Sequence, residues 1–175
     1  MMVLVIGGSA SGKSEFCENL AVRIGKKKLY VATMRPFGSE AEKRIKRHRE
    51  LRRGKGFFSV DCYKNLIEIQ SRKAYDTVML ECMSNLVANE MFEEHGDVSS
   101  IVHQVKILQK EFEHFFIVSN DVFSDGAPYS KETMEYIQNL GAINREIAAL
   151  ADVLIEVVAG IPLIHKGREF IEKYI

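Results

Sequence analysis

Eight residues near the start of the chain, Gly7-Gly8-Ser9-Ala10-Ser11-Gly12-Lys13-Ser14, have the types and spacing G-x-x-x-x-G-K-[ST]. That spacing binds phosphate. The glycines let the backbone turn tightly and bring its N–H groups against phosphate oxygens, and the positive end of the following helix adds its dipole. Lys13 then supplies a point charge to the β/γ-phosphates, and the Ser14 hydroxyl a ligand for Mg²⁺. A second candidate is Glu81, the acid that ends the apolar run Thr77-Val78-Met79-Leu80. A carboxylate in that place either holds Mg²⁺ together with Ser14 or faces solvent, and a P-loop in the same chain favours the metal role. A third is the basic stretch from Lys43 to Arg53, where Arg44, His48 and Arg52 recur at i, i+4, i+8. Like charges so spaced on a helix repel by about 0.2–0.5 kcal/mol per pair, and a polyphosphate among them would relieve the repulsion. The same cations disfavour an imidazolium, which keeps a histidine neutral and nucleophilic near pH 7. From composition alone a solvated basic face with an exposed histidine is the simpler reading, and both stand at this point.

These residues need elements to hold them. Met2-Val3-Leu4-Val5-Ile6 reads as a buried strand feeding the loop, and Phe16, Leu20 and Ile24 mark an amphipathic helix closed by Gly25. Leu29–Thr33, Phe57–Val60, Thr77–Glu81, Phe115–Ser119 and Val153–Val158 read as further strands. Between them the pattern predicts a helix opened by the capping box Ser39-Glu40-Ala41-Glu42 and running to about Arg53. It also predicts helices over Lys64–Arg72 and Ser84–Glu94, one from about Asp97 with Ile101, Val105, Leu108 and Phe112 on one face, and a long one over Lys131–Leu150. Asn120 to Ser130 reads as a loop, and Gly160-Ile161-Pro162 as a turn into a short tail whose end, Arg168–Ile175, is a surface helix turn. Strand and helix alternate without a linker or repeat. The fold class is therefore α/β, P-loop NTPase-like, with a mainly parallel sheet covered by helices on both faces and a single nucleotide-binding domain over residues 1–175. Ligands bind at the carboxyl ends of strands in such sheets, so Thr33, Glu81 and the P-loop should converge there.

Composition excludes several classes. Twenty-four basic and 24 acidic residues cancel, so overall charge offers no argument for nucleic acid or an anionic membrane. Cys17, Cys62 and Cys82 are odd in number and far apart, without metal spacing, and read as reduced and mostly buried. No apolar run approaches the ~20 residues of a membrane span, which points to a soluble, cytoplasmic protein. His95, His103, His114 and His165 lack a ligand set, and Phe16, Phe112 and Met134 read as core.

The P-loop, Tyr30-Val31-Ala32-Thr33, Arg44-Ile45-x-x-His48-Arg49-x-x-Arg52, Leu80-Glu81-Cys82, Asn89, Ser119-Asn120-Asp121-Val122, Gly141-x-x-Asn144 and Val158-x-Gly160-Ile161-Pro162 occur in an order and spacing that resemble the bifunctional adenosylcobinamide kinase/adenosylcobinamide-phosphate guanylyltransferase family. The resemblance is collinear from residue 2 to about 166. It implies an enzyme that phosphorylates adenosylcobinamide with ATP or GTP, then transfers GMP from GTP to the product through a guanylyl-histidine, releasing pyrophosphate. It puts the nucleophile on His48 and the nucleotide contacts on Gly7 to Ser14, Ala32-Thr33-Met34, Arg49-Glu50-Leu51-Arg52, Glu81 and, across a one-residue insertion, Asp61. It also implies Mg²⁺ and a homotrimer. A large, mostly apolar corrinoid needs an extensive concave surface, which a domain of this size provides most easily between subunits. The chain departs from the family at Ala10, at Asp121 and Phe123, and over Met134–Gln138, where Arg, Asn-Glu-Val-Gly and arginines are common. A plain P-loop kinase without a histidine intermediate is the alternative. A guanine-nucleotide switch is disfavoured because neither Asn-Lys-x-Asp nor a suitably placed Asp-x-x-Gly occurs.

Overall fold

In the computed structural model, which describes residues 1–72, 74–122 and 129–175 and only the backbone of Arg44, seven strands form one sheet in the order β3-β2-β4-β5-β1-β6-β7. β1 (Met2–Gly7), β2 (Lys28–Ala32), β3 (Phe57–Asp61), β4 (Thr77–Glu81), β5 (His114–Asn120) and β6 (Val153–Val158) run parallel. β7 (Ile161–Lys166) alone is antiparallel. Both faces of the central strands are buried, which is why they read as apolar runs rather than alternating ones. Val3 and Val5 pack on one face with Cys17, Leu20 and Ala21 of α1 (Lys13–Ile24). Met2 and Leu4 belong to the larger core on the other face, with α3 (Met83–Phe92), α4 (Ile101–Glu111) and α5 (Lys131–Leu150). All three cysteines are free and buried.

Several expectations are corrected. The Ser39 capping box does not form: α2 spans Gly38–Leu51, so Ser39 already lies inside its first turn, and Phe37 occupies the cap position without a side-chain hydrogen bond. Residues expected as a helix over Lys64–Arg72 make a 3₁₀ run, Leu66–Arg72. Its buried residues are Leu66 and Ile69, three apart, the repeat of a 3₁₀ turn. Phe112 is buried but follows α4 as its cap, and Phe16 is only partly buried. Met134 is 40% exposed, because α5 turns Leu140, Ile143 and Ile147 inward and Met134, six residues before Leu140, lies about 240° around the helix. The largest difference is at the end of the chain. Ala159 and Gly160, both at positive φ, turn it back, and Ile161–Lys166 adds a strand to β6 where a tail was expected. Pro162 hides that strand in the sequence, yet on a sheet edge its missing N–H is tolerated. The loop expected over Asn120–Ser130 falls, at residues 123–128, outside the described residues, as does the side chain of Arg44.

Candidate nucleotide and transfer site

The eight-residue loop joins β1 to α1 in a conformation that its residue types permit. A Cβ on Gly7 would lie 2.5 Å from the Val157 carbonyl oxygen, and Gly12 caps α1 at φ +92°, a left-handed value. The Ser11 N–H donates to the Gly8 carbonyl at 3.2 Å, and the Gly160 N–H donates to the Ser11 carbonyl at 2.8 Å, so the β6–β7 turn buttresses the loop. Gly8, Ser9 and Ala10 stay exposed. Lys13 is buried, and its Nζ donates to the Gly8 carbonyl at 2.9 Å, folded over the loop that a phosphate would fill. Burial pulls its ammonium below the ordinary lysine range, against the opposing attraction of Glu81.

Ser14 and Glu81 meet as the metal reading requires: the Ser14 hydroxyl donates to Glu81 Oε1 at 2.9 Å. The other carboxylate oxygen, Oε2, is buried and has no hydrogen-bond partner among the described residues. Burial pushes the Glu81 carboxyl up to about 7, outweighing the Ser14 hydrogen bond and the Lys13 charge. An orphaned, desolvated oxygen beside a hydroxyl fits a divalent cation. Among the described residues no group of three or more His, Cys, Asp or Glu side chains could hold a metal. Two protein oxygens nonetheless suit Mg²⁺, which completes its shell with water and phosphate oxygens.

The strand ends beside Glu81 are tied together by side chains. Thr33 is buried, and its hydroxyl both accepts from the Cys82 N–H and donates to the Cys82 carbonyl, each at 2.8 Å. Asn89 donates from Nδ2 to the carbonyls of Thr33 and Tyr63, both at 2.9 Å. Asn120, at the end of β5, donates to the Ser84 hydroxyl at 2.7 Å, and Ser119 to Asn144 Oδ1 at 2.7 Å. Asn89, Asn120 and Asn144 thus brace the site's framework.

Between α2 and the β2–β3 edge lies a cavity of about 730 Å³. His48, Arg49, Glu50 and Arg52 line it from α2 and its cap, Ala32, Met34 and Asp61 from strand ends, and Glu81 from β4. Thr33 lies behind this wall, Leu51 is 41% exposed and does not line it, and the P-loop reaches it only through Glu81, which Ser14 bonds. Tyr30, Ser59, Tyr63 and Asn85 also line the cavity, though sequence reasoning did not select them for the site. Two of them were within reach: Tyr30 precedes Ala32, and Ser59 precedes Asp61, by two residues on a strand, so each pair shares a face. Arg52 is 8% exposed, with its Cζ 3.4 Å from the Tyr30 ring centroid. Just beyond α2, Lys55 bonds the buried Glu18 of α1 at 2.8 Å and fixes that end of the helix to the P-loop helix. Burial raises the Glu18 carboxyl while Lys55 lowers it.

The remaining histidines serve elsewhere. His95 and His103 are exposed, His114 contacts Glu113 at 3.5 Å, and His165 contacts Glu156 at 2.9 Å. Among the described residues no helix is long and apolar enough to cross a membrane.

Comparison with known proteins matches residues 3–164 to the family described as cobinamide kinase / cobinamide phosphate guanyltransferase. The bifunctional adenosylcobalamin biosynthesis protein CobU of Escherichia coli (strain K12) is 28% identical over 178 aligned positions, covering 92% of this chain and 97% of the relative. CobP of Pseudomonas aeruginosa, also named a bifunctional adenosylcobalamin biosynthesis protein, is 24% identical, covering 96% and 99%. Among solved structures, the flagellar accessory protein FlaH of Methanocaldococcus jannaschii superposes with a TM-score of 0.54 at 16% identity, over 94% of this chain and 77% of that one. A solved ATPase domain gives 0.52 at 14% identity, over 89% and 68%. At such identities these two structures speak for the fold alone, that of a P-loop NTPase.

Proposed function

The chain belongs to the cobinamide kinase / cobinamide phosphate guanyltransferase family, and we propose that it carries out both reactions at the site described above, as a cytoplasmic enzyme. In the first, the hydroxyl of adenosylcobinamide attacks the γ-phosphorus of ATP or GTP, the bond to the β-phosphate oxygen breaks, and the nucleoside diphosphate leaves as the hydroxyl proton is released. Gly7 to Ser14 wrap the phosphates, with Lys13 released from the Gly8 carbonyl to meet the β/γ-oxygens. Ser14 and Glu81 would hold Mg²⁺, which when bound neutralises charge on those oxygens.

In the second reaction a ring nitrogen of His48 attacks the α-phosphorus of GTP and the α–β bridging bond breaks, giving a guanylyl-histidine and pyrophosphate. A phosphate oxygen of adenosylcobinamide phosphate then attacks the same phosphorus, the P–N bond breaks, and adenosylcobinamide-GDP leaves. Arg49 and Arg52 offset the charge that gathers on the phosphate in both steps. Ala32, Met34, Glu50 and Asp61 line the space left for the nucleoside. The observation that carries this reading is Glu81: one carboxylate both accepts from Ser14 of the P-loop and lines the cavity that His48 and Arg52 share. The two chemistries therefore fit one nucleotide site.

A homotrimer would supply the extended surface that a corrinoid needs. Ile161, Leu163 and Phe170, 63%, 45% and 49% exposed along β7 and the tail, offer apolar area for such an interface. The test of the whole reading is incubation with Mg²⁺ and GTP labelled at either the α- or the γ-phosphorus. Acid-labile protein-bound label from α-labelled GTP only, with a mass increase of one guanylyl group, is the expected result. Phosphorylation of adenosylcobinamide without any protein-bound GMP would leave a kinase and remove the histidine intermediate.

A further inference from the structure

Arg52 presents a problem of hydrogen bonding. Its side chain is buried, and Nη1 has no partner among the described residues. Buried donors are paired as a rule, and one left unpaired on the wall of a cavity marks the place of an acceptor that arrives from outside. Something must hold the guanidinium there meanwhile, since a free arginine side chain samples many rotamers. The backbone is already fixed: the Arg52 N–H donates to the His48 carbonyl at 3.2 Å, and the loop beyond is pinned by Lys55 to Glu18. The side chain is fixed by Tyr30. Its ring lies 3.4 Å from Arg52 Cζ, well inside the ~6 Å reach of a cation–π contact, and is itself 2% exposed and braced edge-on by Phe57 at 6.1 Å.

We propose that Tyr30 is a positioning residue for nucleotide recognition: its ring holds the Arg52 guanidinium against the cavity wall, ready to receive a phosphate oxygen of the nucleotide. The inference rests on the reading of this cavity as the nucleotide site. Stacking suits the purpose because it grips the face of the guanidinium and leaves its N–H edge for the ligand, whereas a carboxylate partner would occupy that edge and cancel the charge. A lysine could not be held so, having no planar face.

The test is equilibrium binding of α,β-methylene GTP with Mg²⁺, which the histidine cannot cleave, to Tyr30→Phe, Tyr30→Leu, Arg52→Ala and the double variant Tyr30→Leu/Arg52→Ala. Arg52→Ala should weaken binding roughly tenfold to a hundredfold, the worth of one charge-assisted hydrogen bond. Tyr30→Phe keeps the ring and should stay within about twofold, while Tyr30→Leu should lose roughly tenfold. In the Arg52→Ala background the leucine should cost nothing further, because the group it positions is gone. With GTP itself, adduct formation in Tyr30→Leu should need roughly tenfold more GTP and also run slower at saturation, while Tyr30→Phe stays close to wild type in both. Equal losses from Tyr30→Leu in both backgrounds would mean general damage to the strand and overturn the proposal, as would unchanged binding in a Tyr30→Leu variant whose Arg52→Ala counterpart binds weakly. Unchanged binding in Arg52→Ala would instead remove the phosphate role of Arg52, and the function of Tyr30 with it, while leaving the P-loop and His48 assignments to their own tests.

Discussion

Replacing Glu81 by Gln separates what this carboxylate does for the fold from what it does for the ligand. In the folded chain it titrates near 7, against 4.5 for an ordinary glutamate, because burial disfavours its charge more than Ser14 and Lys13 restore it. Between those two values the native state holds the proton and the unfolded state has lost it. Stability must therefore fall as pH rises from about 4.5 to about 7, and level off above, the reverse of a salt-bridged carboxylate. The distance from 4.5 to about 7, at about 1.4 kcal/mol per pH unit, corresponds to about 3 kcal/mol. Gln has the same shape and retains an oxygen to accept from Ser14, now at 2.9 Å from Oε1, but never acquires the charge. The ligand-free Glu81→Gln protein should thus be more stable than wild type by about 3 kcal/mol at pH 8 and by only about 1 kcal/mol at pH 5. Urea unfolding of both proteins at the two pH values measures this directly. Nucleotide binding should show the opposite preference, with the Mg²⁺-dependent part of the affinity lost and the Mg²⁺-independent part kept. Parallel pH profiles for the two proteins would refute the buried-carboxylate account. Equal loss of binding with and without Mg²⁺ would refute the metal role.

Lys13→Ala should reduce phosphoryl transfer by about two to three orders of magnitude, since it removes a charge aimed at the transferred group. Its unfolding free energy should change by only about 1 kcal/mol, the value of the bond to the Gly8 carbonyl; wild-type kinase turnover in this variant would sink the P-loop assignment. His48→Asn keeps a polar side chain without the nucleophile, so protein-bound GMP and GMP transfer should disappear while adenosylcobinamide phosphorylation persists. Adduct formation in that variant would assign the nucleophile to another residue. Lys55→Ala strands Glu18, whose side chain is 1% exposed, and should cost about 3 kcal/mol near neutral pH, less in acid where the buried carboxyl takes a proton. Glu18→Gln should be milder, and denaturant midpoints for the two variants at two pH values give the comparison.

Much of the molecule was legible in the linear chain because the relevant forces act between near neighbours in sequence. Gly7 to Ser14 carry their own turn geometry and donors, and the apolar runs around Leu4, Val31, Leu80 and Ile117 state that they are covered on both faces, which is enough for a parallel sheet between helices. Met134 and Ile161 went astray for the same kind of reason. Residue type favours a core Met and a turn after Gly160, but the rotation of α5 on the sheet and the open edge of β6 are decided by what else packs there. The Ser39 capping box was lost when α2 began at Gly38. Glu81 and His48 could be picked out by type and neighbours, and the family resemblance put both around a nucleotide; that they line one cavity is decided by the strand order, which lays β2 between β3 and β4 and so brings β4 and α2 together. The raised affinity of Glu81 for its proton, the Lys55–Glu18 bond and the stacking of Arg52 on Tyr30 belong to the tertiary structure for the same physical reason: desolvation and close contact depend on distance in space, and Glu18 and Lys55, or Tyr30 and Arg52, are far apart along the chain until the sheet and its helices set them side by side.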